Sequence, residues 1–313
     1  MKVLVTGGAG FLGAHLCEAL LARGDEVVAL DNFATGSRAA IERAARHPAF
    51  SFVEGDVCAA PAVGGGFDAI AHLACPASPG EYLRLPLETL AIGSHGSEFV
   101  LRLAHANDCR VLLASTSEIY GDPLQRPQGE EYWGNVNPIG PRSVYDESKR
   151  YAEALFMAHR RAHGLDTGIV RIFNTYGPGL RPRDGRVVSN FIAQALSGEP
   201  LTIYGDGRQT RSFCYVSDLI DGLVRMLTSD QPGPVNLGNP TEITILELAE
   251  TVLALTGAQS PLDYRPAPQD DPATRRPDIA KAAALLDWAP TVPLADGLAR
   301  TIEWQRSLAT ILV

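Results

Sequence analysis

Tyr145 and Lys149 stand four apart in Tyr145-Asp146-Glu147-Ser148-Lys149. Positions i and i+4 of a helix share a face, so the ammonium can lie beside the phenol and favour its ionised form. A phenolate is the base that oxidation of an alcohol by hydride transfer requires. Upstream runs Ser115-Thr116-Ser117-Glu118, which supplies hydroxyls able to orient a substrate hydroxyl and one carboxylate. A carboxylate beside a hydride-transfer centre is costly unless it has work to do. Taken singly, a Tyr/Lys pair is more often a surface helix pair, and Ser and Thr after a strand are ordinary turn residues. Their company in one chain is what points to chemistry.

The elements that must position these residues are legible nearby. Val3-Leu4-Val5 runs into Gly7, Gly10, Phe11, Leu12 and Gly13, followed by a helical pattern at Leu16, Ala19 and Leu20. Strand, glycine turn and helix let a backbone approach a pyrophosphate and aim a helix N-terminus at it. The spacing is Gly-x-x-Gly-x-x-Gly, and a glycine turn alone is weak evidence. Asp31-Asn32 ends the second strand, Val27 to Leu30, where an acid hydrogen-bonds the adenosine ribose and repels a 2′-phosphate; this selects NAD over NADP. Asp56-Val57 after the third strand suits the adenine. Further strands are expected at Ser51 to Val53, Ala69 to Leu73, Val111 to Ser115 and Gly168 to Phe173, with helices near Leu87 to Ala106 and Tyr145 to His163. Apolar strands alternating with helices predict an α/β fold, a Rossmann-type doubly wound parallel sheet. Ser115 to Glu118 then falls at a strand's carboxyl end, where such sheets bind ligands.

From Asn174 onward the texture becomes Gly-, Pro- and Arg-rich, with helices expected at Val188 to Leu196, Ser217 to Leu227, Ile245 to Leu255 and Ile279 to Leu286. The division expected is an NAD-binding domain over 1–174, rejoined by a segment near 212–240, and a smaller, mainly substrate-binding domain over 175–313.

A chain of 313 residues with 45% apolar content can bury a large core. The net charge of -9 and pI near 5.3 argue against general affinity for nucleic acid or anionic membrane. Five scattered cysteines, with no Cys-x-x-Cys pair, indicate neither a disulfide framework nor a zinc site. His15, His72, His95, His159 and His163 read as structural or solvent-facing, so no metal is expected. The start of the chain carries too short an apolar run for a signal peptide, and the expectation is a soluble, cytoplasmic protein.

Longer stretches carry a resemblance. They are His72-Leu73-Ala74-Cys75-Pro76-Ala77-Ser78-Pro79, Ser115 through Asp122, Glu131-Tyr132-Trp133-Gly134 through Pro141, and Arg171 through Pro178. They continue with Asp184 through Phe191, Tyr204 through Asp218, and Asp270-Asp271-Pro272 leading to Arg275. In this order, over nearly the whole chain, the sequence resembles the extended short-chain dehydrogenase/reductases and, among them, the UDP-glucuronate decarboxylases. The resemblance implies bound NAD, with Gly36, Leu73, Ala74, Ser115, Thr175, Tyr145 and Lys149 joining the glycine turn, Asp31, Asn32, Asp56 and Val57 as cofactor contacts. It implies substrate contacts at Pro76, Ser117, Asn174, Arg186, Val187, Tyr204, Gln209, Arg211 and Arg275.

The implied chemistry is a lyase reaction on UDP-glucuronate. Tyr145, assisted by Lys149 and Thr116, takes the C4 hydroxyl proton as C4 is oxidised. The C6 carboxylate is then β to a ketone and can leave as carbon dioxide with its electrons in an enolate; protonation at C5 and hydride return to C4 give UDP-xylose with NAD regenerated. Glu118 and Arg275 carry roles linked to decarboxylation. Related 4,6-dehydratases pair an aspartate with the glutamate, and here that place is Ser117; related 4-epimerases usually lack the glutamate. Both are disfavoured, TDP-glucuronate is the second substrate, and an NAD-binding regulatory protein is the non-enzyme alternative.

Departures from the family pattern are Ala91-Ile92-Gly93 in place of a Lys-Thr-Asn run, Pro61-Ala62 in place of Leu-Tyr, and Gly179 in place of arginine. They are expected to surround one pocket and alter substrate preference. Family resemblance also implies a homodimer packed through the helices near Leu87 to Ala106 and Tyr145 to His163, with Leu90, Phe99, Leu103, Leu155 and Phe156 as compatible positions.

Overall fold

The computed structural model describes residues 1–267 and 274–311. Asp270-Asp271-Pro272, one of the stretches carrying the resemblance, lies outside the described residues. Strands β1 (Lys2–Thr6), β2 (Glu26–Asp31), β3 (Phe50–Glu54), β4 (Ala69–His72), β5 (Arg110–Thr116) and β6 (Thr167–Ile172) form a parallel sheet with an edge strand, Val235–Leu237. The order runs from Val235–Leu237 through β6, β5, β4, β1 and β2 to β3. The direction of winding reverses between β1 and β4, and a sheet wound this way opens a crevice at the carboxyl ends of those strands. Burial on both faces explains why β1, β4 and β5 are almost uninterrupted apolar runs.

Helices α1 (Phe11–Ala22), α2 (Pro79–Arg84), α3 (Pro86–Ala91), α4 (Ser97–Asn107), α5 (Ser143–His163) and α6 (Val187–Leu196) follow in chain order. After them come α7 (Val216–Leu227), α8 (Ile245–Thr256), α9 (Ala280–Leu286) and α10 (Leu294–Ile311). The helix expected near Leu87 to Ala106 is present as α3 and α4 joined by a π-turn over Ile92–Gly96. Helix α10 escaped the sequence reading. Three small sheets sit over the carboxyl edge: Thr175–Tyr176 with Cys214–Tyr215, Leu201–Tyr204 with Leu262–Arg265, and Thr210–Ser212 between Glu242–Thr244 and Thr274–Arg275.

Two apolar clusters cover the sheet. One contains Leu4, Ile70, Val100, Leu113 and Phe156 on the α4/α5 side. The other runs from Val5, Leu16 and Leu20 through Leu219 and Leu223 to Phe191, Leu248 and Leu298, so α1, α7 and the later helices share one core. Phe99 and Phe156, considered for a subunit contact, are buried within the first cluster, and Leu103 and Leu155 are packed against it; Leu87, Leu90 and Tyr151 are exposed. All five cysteines are free thiols. Among the described residues, no helix is long and apolar enough to cross a membrane.

Candidate active site

A cleft of about 840 Å³ opens at the carboxyl edge of the sheet. Every residue proposed from sequence for catalysis, cofactor or substrate lines it, from Gly7 and Asp31 at one end to Tyr204, Gln209 and Arg211 at the other.

The glycine turn is dictated by close approach. Gly7 has φ +71°, and a Cβ there would meet the Ala74 backbone nitrogen at 2.7 Å; one at Gly13 would collide with the Gly7 carbonyl. Gly10 caps α1 without any side-chain hydrogen bond, and no acidic residue occupies the first turn. The first amides of α1 therefore face the cleft with a favourable dipole for an anion. Asp31 accepts from the backbone N–H of Ala9 (3.0 Å) and of Phe33 (2.7 Å). Burial nevertheless raises its pKa above the ordinary carboxylate value. Asp56 caps the short turn Val57–Ala59, accepting from the Cys58 N–H (2.8 Å) and from Asn32 Nδ2 (3.3 Å). This cradle, which added methyl groups would fill, has the glycine turn, open helix N-terminus and anchored carboxylate that a dinucleotide requires.

At the centre, Tyr145 lies in the first turn of α5, its ring stacked on Tyr82 with centroids 5.0 Å apart and planes 7° apart. Burial pushes its pKa far above that of a free phenol, Cys75 adds to the rise, and a hydrogen bond with Thr116 opposes it. Lys149 Nζ sits 6.0 Å from the Tyr145 ring centroid and donates to the Ala114 carbonyl at 2.8 Å, which ties α5 to the end of β5. The i,i+4 relation brings both side chains into the cleft, but the expected shift toward the ionised phenol is overturned, because burial outweighs it and raises the Tyr145 pKa.

Glu118 follows β5 in a 3₁₀ turn capped by the Thr116 hydroxyl, which accepts from the Glu118 N–H at 3.2 Å. Arg275 grips the carboxylate with both arms, Nη1 to Oε1 at 2.7 Å and Nη2 to Oε2 at 2.8 Å. Arg142 Nη2 adds a third bond to Oε2 at 2.7 Å. Burial alone would raise the Glu118 pKa; Arg275 and Arg142 outweigh it and hold the carboxyl below its ordinary range. Arg142 was missed from sequence because it follows Pro141 in a loop and gains meaning only when α5 docks it on Glu118. Arg275 is buried on the strand Thr274–Arg275, in parallel register with Arg211. Its Nη1 also donates to Asn174 Oδ1 at 3.3 Å.

Other site residues are held by local bonds. Ser115 donates to Glu153 (2.6 Å), itself forked to Arg171, so its hydroxyl is engaged away from a sugar. Arg186 caps α6 and pairs with Asp184 at 3.4 Å. Gln209 Nε2 closes the Gly205-Asp206-Gly207 turn by donating to the Tyr204 carbonyl at 2.6 Å. Of the departures, Ala91, Ile92 and Gly179 line the cleft, but Gly93, Pro61 and Ala62 do not. Pro61 lies beside Gly55, and Gly93 packs on the Ser148 backbone of α5.

The histidines are not all scattered. His72 is buried between the hydroxyls of Thr6 (2.8 Å) and Ser97 (3.5 Å), whereas His159 and His163 meet His105 at the C-terminal ends of α5 and α4.

Residues 3–238 match the NAD dependent epimerase/dehydratase family. The chain belongs to that family. Among its relatives, a UDP-glucuronic acid decarboxylase of Arabidopsis thaliana is 50% identical over 97% of this chain and 69% of its own length. One from Danio rerio is also 50% identical, over 97% of this chain and 72% of the relative. A solved UDP-glucuronic acid 4-epimerase of Bacillus cereus, in complex with UDP-glucuronic acid and NAD, superposes with a TM-score of 0.88 at 28% identity, covering 98% of this chain and 100% of that one. A dTDP-glucose 4,6-dehydratase of Streptomyces venezuelae gives 0.90 at 30% identity, over 99% and 98%. Membership in this NAD-dependent epimerase/dehydratase family accounts for the sheet order, the glycine turn and the Tyr145/Lys149 pair together.

Proposed function

We propose that this enzyme is a carboxy-lyase that converts UDP-glucuronate to UDP-xylose through a 4-keto sugar. The observation that carries the reading is the Glu118 carboxylate, held ionised by Arg275 and Arg142 in the same cleft as Tyr145. Half of all positions are shared with decarboxylases along almost the full chain, which supports the same assignment.

Gly7 to Gly13, Asp31, Asn32, Gly36, Asp56, Val57, Leu73, Ala74, Ser115 and Thr175 would hold NAD, which would supply reversible oxidation of C4. Tyr145 accepts the C4 hydroxyl proton, with the Thr116 hydroxyl and the Lys149 cation as its neighbours in the cleft. Stacking on Tyr82 fixes the ring, so the phenol oxygen addresses one position of the sugar. Once C4 is a ketone, the C6 carboxylate is a β-keto acid, and Tyr145 stabilises the enolate oxygen left as carbon dioxide departs. Glu118, kept charged, is a poor acid for expelling a C6 hydroxyl, and Ser117 offers no carboxyl to help. Arg275 positions Glu118 and contacts the sugar end, with Pro76, Ser117 and Asn174 around it. Arg186, Val187, Tyr204, Gln209 and Arg211 hold the diphosphate and base, where a guanidinium fork suits phosphate oxygens.

Residues 1–174 with the segment near 212–240 serve NAD, supported by the edge strand Val235–Leu237 joining the sheet, and the rest of 175–313 serves mainly the substrate. We place the enzyme in the cytoplasm as a homodimer through α3, α4 and α5, which expose Leu87, Leu90 and Tyr151.

Product NMR with UDP- and TDP-glucuronate side by side tests the reaction. Loss of C6 as carbon dioxide and formation of UDP-xylose without net NADH is expected. Inactivity toward both uronates, or a product that retains C6, overturns the reading.

A further inference from the structure

Away from the cleft, α4 and α5 bring three imidazoles together. His159 and His163 stand at i and i+4 in the last turns of α5, and His105 stands in the last turn of α4. One ring nitrogen from each lies within 4.8 Å of those of the other two, and the ring centroids are 5.2 to 5.8 Å apart. Helix α5 runs from Tyr145 to this cluster over 14 to 18 residues, which at 1.5 Å per residue is roughly 21–27 Å. The cluster is therefore separate from the catalytic machinery.

We propose that His105, His159 and His163 form a three-imidazole site for a borderline divalent transition-metal ion of the Zn²⁺ type, clamping the C-terminal end of α4 to that of α5. Two histidines at i and i+4 on one helix face are a two-point ligand by themselves, and the third, from another helix, closes a face of a tetrahedron. His159 Nδ1 is buried and has no hydrogen-bond partner, which is an unusual condition for an imidazole nitrogen. Metal bonds of about 2.0–2.1 Å in tetrahedral array require nitrogens roughly 3.4 Å apart. His105 and His163 are exposed and can turn by the needed amount. Soft thiolate ions and hard Ca²⁺ or Mg²⁺ are poorly served by three imidazoles, whereas Zn²⁺, Co²⁺ and Ni²⁺ are well served. The fourth position falls to water.

Titration of the chelator-treated full-length protein with ZnCl₂ by calorimetry, and with CoCl₂ by visible absorption, tests the site. The expected result is one ion per chain, a Co²⁺ spectrum without thiolate charge transfer, and a melting temperature that rises with Zn²⁺. His163→Gln and His105→Gln should each weaken binding at least ten-fold and abolish the thermal shift, with turnover of UDP-glucuronate unchanged. Because both positions are exposed, these variants retain the fold, and circular dichroism verifies it. Absence of binding to the wild type, a thiolate band, or wild-type affinity in His105→Gln, which would leave only an i,i+4 chelate, overturns the proposal.

Discussion

Arg275 and Glu118 are separated by 157 positions, yet they meet in a two-pronged ion pair at 2.7 and 2.8 Å. Arg275 reaches Glu118 because Thr274–Arg275 adds as a strand beside Thr210–Ser212, with Ser212 Oγ donating to the Arg275 carbonyl at 3.2 Å. Replacing Arg275 by Ala removes the principal group that offsets the burial of Glu118. Decarboxylation in Arg275→Ala should fall about 10²–10³-fold. The Glu118 pKa, depressed in the folded protein, should rise in the variant, so the acid limb of the kcat/KM profile moves to higher pH. An unchanged limb with reduced rate would show that Arg275 acts on substrate alone.

Tyr145 and Lys149 predict a different signature. Tyr145→Phe removes the proposed proton acceptor for C4, and turnover should drop about 10²–10⁴-fold. Lys149→Met should act in the same direction and also loosen the end of β5, because the Ala114 carbonyl loses its 2.8 Å donor. Stopped-flow absorbance of the reduced nicotinamide distinguishes the sites. Tyr145→Phe should form none, whereas Arg275→Ala should accumulate some, since it spares the oxidation.

Asp31 is aligned by two backbone donors, so an isosteric amide disturbs more than charge. In Asp31→Asn, one side-chain NH₂ must face the Ala9 or Phe33 N–H, leaving donor against donor. NAD affinity, followed by quenching of protein fluorescence, should weaken roughly ten-fold or more. Discrimination against NADP should shrink. Retained wild-type affinity would remove Asp31 from the cofactor site.

How far the sequence went depended on the range of the contacts. The sheet strands, the glycine turn and the Tyr145/Lys149 pair rest on residues a few positions apart, and apolar runs and helical spacing expose them. Arg142 and the burial of Arg275 depend on docking between distant segments, with no local pattern to announce them. The same holds for His105, which is far in sequence from His159 and His163. Tyr82, stacked on Tyr145, lies in the short helix α2, whose single buried aromatic gives no periodicity. Gly93 was legible as a departure but not as a packing position. A Cβ there would stand 2.6 Å from the Ser148 carbonyl oxygen and 2.8 Å from its Cβ, so Gly93→Asn should destabilise the protein by about 1–3 kcal/mol as overpacking between helices. Chemical denaturation would register this as a lower midpoint at unchanged slope.

His72 sets a stability threshold in acid. Burial drives its pKa from 6.5 down to about 3, with Lys149 adding repulsion. Its ring is enclosed by the Thr6 and Ser97 hydroxyls, so the neutral form is the one the fold accepts. Between those values the unfolded chain binds a proton that the folded chain does not. Stability must therefore rise with pH across that window and fall as pH drops below about 6.5. The His72 contribution to the slope is at most ~1.4 kcal/mol per pH unit. His72→Gln removes that contribution while leaving the carboxylates that also titrate in acid, so the comparison isolates the imidazole. Urea denaturation from pH 7 to pH 4 should show the wild type losing stability faster than His72→Gln. Parallel curves would mean that the ring is protonated within the fold, and that the Thr6–His72–Ser97 array can hold a cation beside the cofactor end of the cleft.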